Sequence, residues 1–435
     1  MQKPFRTLVN AAIIGLLSTS TAQSAGFSLY MEDNGYAVGN FGAGLAAEAA
    51  DASTGWYNPA GLVLIGRKQV VGAGVGIFPT TKLSGTSTFN SLTGFPPPVD
   101  VIRYRERFSG LKTAKDAIVP SGHMVIPIGE NAAFGLSLVS PFGLATDWGT
   151  HSPVRYQATL SDLITMNISP ELAGRISKNF SIGAGIDVQY ARVKFNQMLG
   201  AATILNVFGM DPTLDDSLSY NRGHSYGVGF HAGVLGMFND NHTRIGLNYQ
   251  STMRHKFHGY SQLNGNLANN VSIFPDLGTG YYRSDDLFSN YIKFPELVTL
   301  SGYQDINEKL ALLGSVVFTG WDVFKAIQLN NVAAVAINSN AEVAKAIVNS
   351  NSPQNYSNAW RLAIGANYKI NPMWMLRVGG GYDQTPTNDA DRNVRLPDSD
   401  RWGLSVGSHI QVKPNLGVDV GYTHLFGDTS HINRT

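Results

Sequence analysis

The sequence predicts an all-β protein, a transmembrane antiparallel β-barrel with an N-terminal plug. Three observations lead to this fold class. Only 14% of the 435 residues are charged, well below the roughly 25% that is usual in soluble domains. The longest apolar run, Leu8 to Leu17, is too short for a membrane-spanning helix, which needs about 18 apolar residues. The 47 glycines occur without a period alongside many aromatic residues, which favours strands over helices.

The first 24 residues have the pattern of a signal peptide. Lys3 and Arg6 supply a positive region, an apolar stretch follows, and Ala22-Gln23-Ser24 is a small-residue cleavage site. A frayed N-terminal helix is the alternative, but it would not require these three features in this order. The sequence therefore predicts an exported protein, and cleavage after Ser24 would leave Ala25 as the first residue.

Residues 25–66 are rich in glycine and alanine and show no strand alternation. Examples are Gly42-Ala43-Gly44 and Ala49-Ala50. A segment of this kind ahead of a barrel is predicted to fill the lumen as a small hatch. Such a plug would block a water-filled channel, so the predicted hatch argues against a general porin.

The barrel itself is predicted over residues 67–435 from alternation with a period of two. A barrel strand directs apolar side chains to lipid and polar or small ones to the lumen. Ile182, Ile186 and Val188, for example, alternate with Gly183, Gly185, Asp187 and Gln189. This pattern predicts thirteen strands, near 67–78, 117–127, 131–140, 163–176, 180–196, 224–238, 242–256, 291–304, 308–322, 356–370, 373–384, 398–412 and 415–427.

The connections between these strands alternate in length. Short turns such as Ser177-Lys178-Asn179 and Asn371-Pro372 contain turn-forming residues, and long segments lie between them. Outer membrane barrels have short periplasmic turns and long outer loops. A β-sandwich is the structural alternative, but it would not show this strict alternation.

Thirteen is an odd number, whereas bacterial single-chain barrels have an even number of strands. After the last predicted strand the sequence enters a would-be outer loop at Gly427-Asp428 and stops at Thr435. We therefore expect either that a closing strand is missing from this sequence or that the true strand boundaries differ from these thirteen segments.

Charge and residue types exclude several functions. The formal net charge of +1 gives no basic footprint for nucleic acid, and the absence of cysteine excludes thiolate metal sites and thiol nucleophiles. No His-Glu-x-x-His motif is present and the ten histidines are scattered, so no metal or other cofactor is expected. An outer membrane lipid hydrolase is the enzyme alternative, and a general porin is the non-enzyme alternative.

Several sequence blocks resemble one family in the same order along nearly the whole mature chain. They are Asp51-Ala52-Ser53-Thr54-Gly55-Trp56-Tyr57-Asn58-Pro59-Ala60-Gly61-Leu62, Pro141-Phe142-Gly143-Leu144-Ala145-Thr146 with Trp148, Arg155-Tyr156 and Ser161-Asp162-Leu163, Gly381 to Pro386, Arg395 to Arg401, and Gly421 to Phe426. This pattern resembles the long-chain fatty acid outer membrane transporters of the FadL type, which include the toluene and hydrocarbon transporters.

The resemblance implies a fourteen-stranded barrel in the bacterial outer membrane, surrounded by its lipid and acting as a monomer. It also implies passive uptake of a long-chain fatty acid or another hydrophobic ligand, with aromatic hydrocarbons or alkanes as the alternative. Asn58, Pro59, Ala60 and Gly61 are predicted to hold the hatch against the inner wall. Pro59 fixes φ, and the small Ala60 permits close approach.

A fatty acid needs an apolar groove and a cation or donors for its carboxylate. Arg175 and Arg361 lie where the family has arginines and are the predicted ligands of the polar head. Pairing with lumen carboxylates such as Asp187 or Glu48 is the alternative role for such cations. Further inward-facing candidates are Arg192, Lys194 and Arg377. Ser357 occupies a position where many relatives have lysine, which favours a substrate without a strongly acidic head.

Two outer segments carry apolar residues. The third outer loop is predicted to form an apolar helix that first captures substrate, through Leu199, Ile204, Leu205, Val207 and Phe208. A loop helix that only packs on its neighbours is the alternative. The fifth outer segment, from Val323 to Val348, is predicted to be helical by composition and to act as a lid or packing element.

Overall fold

The computed structural model describes residues 26–93, 100–113, 115–207, 209–269, 280–337 and 343–433. The predicted signal peptide, residues 1–24, lies outside these ranges. Among the helices of the described residues, none has the length and apolar character that a membrane crossing requires.

Twenty strands and a few short helices make up the described chain. The strands are β1 Gln69–Ile77, β2 Thr81–Thr93, β3 Asp100–Thr113, β4 Ala117–Ile128, β5 Ala132–Val139, β6 Gly143–Asp147, β7 Leu160–Arg175, β8 Phe180–Leu199, β9 Ser217–Phe238, β10 Thr243–Gln250, β11 Met253–Gly265, β12 Gly280–Phe294, β13 Leu297–Asp305, β14 Leu310–Thr319, β15 Ala326–Ile337, β16 Val343–Pro353, β17 Ala359–Asn371, β18 Trp374–Asp383, β19 Arg401–Lys413 and β20 Leu416–Gly427. The α-helices are α1 Gly35–Gly39, α2 Thr54–Tyr57 and α3 Ala202–Val207. The 3-10 helices are Pro59–Leu64, Asn266–Asn269 and Trp321–Val323.

Eighteen strands belong to one antiparallel sheet, and β2 with β3 forms a separate two-stranded ribbon. The predicted β-barrel wall is thus confirmed over the sandwich alternative. All thirteen predicted wall strands are present within the described ranges. Two of them are each divided into two strands. The predicted strand 242–256 consists of β10 and β11, which both pair with β9. The predicted strand 291–304 consists of the end of β12, which pairs with β11, and of β13, which pairs with β10.

Strand β7 shows why the sequence folds this way. Its Ile164, Met166 and Ile168 are about half exposed, with exposed fractions of 45%, 53% and 47%, and form the lipid-facing surface. The intervening Thr165 and Asn167 are fully buried toward the lumen. The alternation therefore places apolar atoms in hydrocarbon while the ladder satisfies the backbone.

One secondary-structure prediction is wrong. In its described residues 324–337 and 343–348, the segment Val323 to Val348 is not helical and forms most of the hairpin β15 and β16, in which Val332 pairs with Val348. Its alanines suggested a helix, but its many valines and isoleucines prefer the extended backbone. Strand β15 also pairs with β12, so this hairpin extends the wall outward.

The predicted hatch, described from residue 26 to residue 66, lies inside the sheet with most of its residues buried. Its helix α1 packs on β19 and β20. The residue registers pair β1 with β4 and β20 with β19, and none joins β1 to β20 among the described strands.

Candidate functional site

The Asn58-Pro59-Ala60 turn fastens the hatch to the inner wall. The fully buried Asn58 accepts a hydrogen bond from the Ala60 amide at 3.1 Å and caps the following 3-10 helix. Its Nδ2 donates to the carbonyl of Ala46 at 2.7 Å, inside the hatch, and to that of Val234 in β9 at 3.1 Å. One side chain thus joins two hatch segments to the barrel.

A glycine and a serine of the wall receive this turn. A Cβ atom on Gly183 in β8 would lie 2.5 Å from the carbonyl carbon of Pro59, so only glycine fits there without displacement. Ser181, also in β8, donates to the Ala60 carbonyl at 2.8 Å. Gly61 lies against Thr54, where a Cβ would approach its Oγ1 to 2.5 Å.

The opposite side of the hatch rests on a second group of wall glycines. A Cβ on Gly407 in β19 would lie 2.7 Å from the Cα of Gly39, the last residue of α1. Gly421 in β20 meets Gly39 in the same way, at 2.6 Å from its amide nitrogen. The hatch backbone therefore approaches the wall closely at these glycines on both sides.

Two buried histidines of the wall also contact the hatch. His123 in β4 has Nε2 at 3.0 Å from the Asp33 carboxylate and Nδ1 at 3.0 Å from the Ser137 hydroxyl. His231 in β9 has Nε2 at 3.2 Å from the Gly55 carbonyl and Nδ1 at 3.0 Å from the Asp187 carboxylate of β8. Each imidazole is oriented by the wall on one nitrogen and reaches the hatch with the other.

Next to Phe27 of the hatch lies a small apolar cavity of about 40 Å³, which we call the inner cavity. Its apolar lining comes from the hatch, the wall strands and the outer segments. The apolar lining residues are Phe27, Leu144, Leu163, Val193, Phe195, Phe257, Ile292, Phe294, Phe324, Ile327 and Leu396. Its side chains are chemically suited to contact an alkyl chain or an aromatic ring, and they must move apart to admit one.

The polar part of the same lining contains Gln354, Tyr356, Asn393 and Arg395. The Arg395 guanidinium lies over the Phe195 ring at 5.6 Å and donates to the Gln197 amide oxygen at 2.9 Å and to the Ser161 hydroxyl at 3.1 Å. The inner cavity thus combines an apolar chamber with one cation in its lining.

A second cavity opens toward the side of the barrel, and we call it the side opening. Strand β5 pairs with β4 only from Gly122 onward, so the outer end of β4 has β1 as its registered neighbour. Beyond β5 the wall is continued by β6, which pairs with β7. The side opening shares Leu144, Leu163 and Leu396 with the inner cavity and also reaches the exposed Ile118.

Neither predicted head-group arginine lines the inner cavity. Arg361 in β17 lies against the hatch, with its guanidinium over the Phe41 ring at 4.6 Å and in contact with the Met31 sulfur. Arg175 lies at the end of β7 next to the periplasmic turn, where its amide donates to the Asn131 carbonyl at 2.7 Å. Neither arginine is therefore part of the cavity lining.

The predicted capture helix is present, but it is shorter than the stretch from Leu199 to Phe208, and part of it is buried instead of facing water. Helix α3 covers Ala202–Val207 and packs on the ribbon β2 and β3. Leu205 is fully buried, Leu199 packs in a small apolar cluster, and Val207 is 53% exposed. Phe208 and the side chain of Ile204 lie outside the described residues.

Sequence reasoning missed the residues that build the inner cavity. Phe27 packs its ring at 4.6 Å from Trp321 and at 5.4 Å from Phe294, although these residues are far apart in sequence. In the sequence, Arg395 stands out only as part of the block Arg395 to Arg401. The signal that could have found it is a cation next to the apolar Leu396 in an outer segment.

The described residues contain no group of histidines and carboxylates able to hold a metal ion. The sequence Gly403-Leu404-Ser405-Val406-Gly407 has the Gly-x-Ser-x-Gly spacing of hydrolase nucleophiles. Ser405, however, lies within strand β19 rather than on a turn before a helix. Its hydroxyl is buried and bonded to Thr423 at 2.7 Å, so it lacks the exposure of a nucleophile.

The fold and the hatch-filled lumen define an outer membrane transport barrel. The chain belongs to the outer membrane protein transport protein family (OMPP1/FadL/TodX), whose model matches residues 15–435. This is a family of transporters rather than enzymes, located in the outer membrane.

Two curated proteins illustrate the similarity. The long-chain fatty acid transport protein of Salmonella typhi is 28% identical over 98% of this chain and 92% of its own length. Outer membrane protein P1 of Haemophilus influenzae is 27% identical over 100% of this chain and 92% of its own.

Solved structures agree on the fold. The crystal structure of a Pseudomonas aeruginosa FadL homologue matches with a TM-score of 0.71 and 25% identity, covering 93% of this chain and 92% of that one. The Pseudomonas putida toluene transporter TodX matches with a TM-score of 0.61 and 15% identity, covering 93% and 94%. At that identity, TodX supports the fold alone.

Proposed function

We propose that this protein takes up hydrophobic compounds across the outer membrane, with long-chain fatty acids as its main substrates. The observation that carries the proposal is the inner cavity, which combines an apolar lining with the cation Arg395. Transfer of an alkyl chain from water to such a lining lowers the free energy of the system. A carboxylate is tolerated there only beside a cation or hydrogen-bond donors. The long-chain fatty acid transport protein of Salmonella typhi supports this assignment by similarity.

Within this proposal, Arg395 receives the polar head of the substrate. Arg361 and Arg175, the arginines chosen from sequence, take other roles. Arg361 holds the hatch through Phe41 and Met31, and Arg175 belongs to the periplasmic end of the wall. Charge-assisted contacts to a carboxylate would then supply specificity for acids over neutral hydrocarbons.

The hatch acts as the gate in this proposal, with Asn58, Pro59, Ala60 and Gly61 as its hinge to the wall. Substrate leaves the inner cavity through the side opening, because the two share Leu144, Leu163 and Leu396. The proposed unit is a monomer, since one chain supplies the hatch, the cavity and its opening.

Aromatic hydrocarbons are the second candidate substrates. The aromatic side chains of the cavity, Phe27, Phe195, Phe257, Phe294 and Phe324, favour this candidate because rings pack edge to face with rings. The toluene transporters among the structural relatives have the same fold.

The test is uptake of labelled oleate and labelled toluene by cells that produce the protein, compared with cells carrying the empty vector. We expect faster uptake of oleate in the producing cells. Faster uptake of toluene alone would favour the second candidate. Equal uptake of both compounds in the two strains would contradict the proposed transport.

A further inference from the structure

The ribbon β2 and β3 carries a concentration of positive charge outside the barrel. Its two strands hold five cations against two carboxylates, a net charge of +3, whereas the whole chain carries only +1. The five cations, all exposed, are Lys82, Arg103, Arg105, Arg107 and Lys112. The remaining chain is therefore slightly acidic, and the positive charge is concentrated on this one element.

Strand alternation sorts the ribbon into two faces. Arg103, Arg105 and Arg107 are every second residue of β3, so they project from the same face at intervals of about 7 Å. Across the ribbon they pair with Asn90, Thr88 and Thr86, which are polar and uncharged. This face, together with Lys82 and Lys112, is called the cationic face below.

The other face is occupied by packing against the outer loops. Phe89 meets the Tyr156 ring edge to face at 4.5 Å, and the intervening Glu106 binds the buried Arg155 at 3.0 Å. The charge of Glu106 is therefore paired with Arg155 on the face opposite the cationic face. Within the described ranges, no ion pair joins any of the five exposed cations to a carboxylate.

The base of the ribbon lies close to the lipid-facing surface. Phe78, just after β1, is 43% exposed, and Ile118 in β4 is 78% exposed, as lipid-facing side chains are. Lys82 follows Phe78 by four residues, at most about 13 Å of extended chain, and pairs with Lys112. The cationic face thus starts near the head groups and continues away from the hydrocarbon.

We propose that the cationic face of the ribbon binds phosphorylated glycolipids of the outer leaflet through their phosphate groups. Guanidinium groups pair with phosphate oxygens in a bidentate manner, and three of them at regular spacing match a head group that bears several phosphates. Clusters of cations at a lipid surface attract anionic head groups in the same way. This binding would anchor the ribbon, and through Arg155 the loops above the cavity.

The test uses the full-length protein purified in a neutral detergent and lipopolysaccharide as the probe. The variant combines Arg103→Gln, Arg105→Gln and Arg107→Gln. Its control combines Lys178→Gln, Lys309→Gln and Lys413→Gln, which removes three exposed cations from the periplasmic turns. Heat-modifiable migration in gels verifies that both variants are folded.

We expect the arginine variant to bind lipopolysaccharide about 10- to 100-fold more weakly than the parent, while the control binds like the parent. Removal of the phosphates from the lipopolysaccharide should weaken binding to the parent by a similar factor. Salt should weaken parent binding more steeply than variant binding.

Three results would overturn the proposal. One is equal binding of lipopolysaccharide by the arginine variant and the parent. Another is equal binding of intact and dephosphorylated lipopolysaccharide by the parent. The third is a loss of oleate binding by the variant with unchanged lipopolysaccharide binding, which would make the ribbon a collector of fatty acid anions instead.

Discussion

His123 and Asp33 form a buried contact between the barrel wall and the hatch, with Nε2 and the carboxylate 3.0 Å apart. Both side chains are almost inaccessible, with exposed fractions of 0% and 4%. An interaction buried to this degree differs from a surface pair, because each partner is left uncompensated when the other is removed. The pair is therefore suited to hold the hatch in place while the barrel remains folded.

The first prediction concerns this pair. Asp33→Asn should free the hatch at a cost of roughly 3 kcal/mol, because the imidazole loses its charged partner inside the lumen. The chain has no cysteine, so Ala52→Cys provides a single reporter in the hatch. We expect maleimide to label this cysteine faster in the Asp33→Asn background.

Asp305→Asn is the matched control for that experiment. Asp305 also contacts a histidine, His242, at 2.9 Å, but His242 is 65% exposed, so the pair is worth at most about 1 kcal/mol. Labelling should stay at the parent rate in this control. Equal rates in both variants would show that the Asp33 contact does not hold the hatch.

The second prediction concerns Gly183, a wall glycine under the Asn58-Pro59-Ala60 turn. Gly183→Ala should displace the turn, because the added Cβ would lie 2.5 Å from the Pro59 carbonyl carbon. We expect changed oleate uptake with an intact barrel. Gly302→Ala is the control, since a Cβ there has open space around it. Similar uptake by both variants and the parent would argue against a gating role for the turn.

The sequence predicted correctly those elements whose pattern is contained in a short run of consecutive residues. Alternation in β7 is visible in consecutive residues, because lipid and lumen select side chains at every step. The hairpin β15 and β16 was mispredicted because its alanines fit a helix equally well. The strand conformation depends on pairing between residues that are distant in sequence, such as Val332 and Val348, and a short sequence window does not contain both.

The candidate site was less accessible to prediction for the same reason. The hatch turn could be found because Asn58, Pro59 and Ala60 are adjacent in sequence. The inner cavity could not, because Phe27, Phe294 and Arg395 come from three distant segments that meet only in the folded barrel. A resemblance in sequence blocks indicated the family but did not assign the cation beside the cavity.

The third prediction separates the three arginines. Arg395→Gln should weaken oleate binding by roughly ten- to a hundredfold, since a contact to a charged group contributes about 1.5 to 3 kcal/mol. Toluene binding should be unaffected, because toluene has no carboxylate. Titration of purified protein with each ligand provides the measurement.

Arg175→Gln serves as its control, because Arg175 lies at the periplasmic end of β7. Arg361→Gln should alter cysteine labelling of the hatch more than oleate affinity, as expected from its contact with Phe41. Oleate binding that is lost in Arg361→Gln and kept in Arg395→Gln would reverse our assignment of the head-group site.

The fourth prediction concerns the side opening. Ala145→Trp should fill this opening, of which Ala145 is a lining residue, without entering the inner cavity. We expect oleate uptake to fall while oleate still binds to the purified variant. Ala145→Gly should leave both properties unchanged. Normal uptake by the tryptophan variant would mean that the substrate leaves by another path.

The last prediction is a pH dependence of the third outer loop. Burial, together with the neighbouring Asp216 carboxylate, raises the pKa of Asp215 to about 6. Its Oδ2 meets no hydrogen-bond donor in the described part of the chain. A raised carboxyl pKa means that the folded loop favours the protonated form. This contribution to stability is complete below the ordinary pKa of 3.8 and is lost as the pH rises through about 6.

Asp215→Asn should therefore stabilise the loop at pH 8, by at most about 3 kcal/mol, and have little effect at pH 4. Limited proteolysis of the outer loops at pH 5 and pH 8 measures this difference, and the parent should be cut faster at pH 8. Asp211→Asn is the control, because Asp211 is exposed and its carboxylate accepts from the Thr213 amide at 2.8 Å. If parent and Asp215→Asn show the same change in cleavage rate between the two pH values, Asp215 does not titrate in the folded loop as proposed.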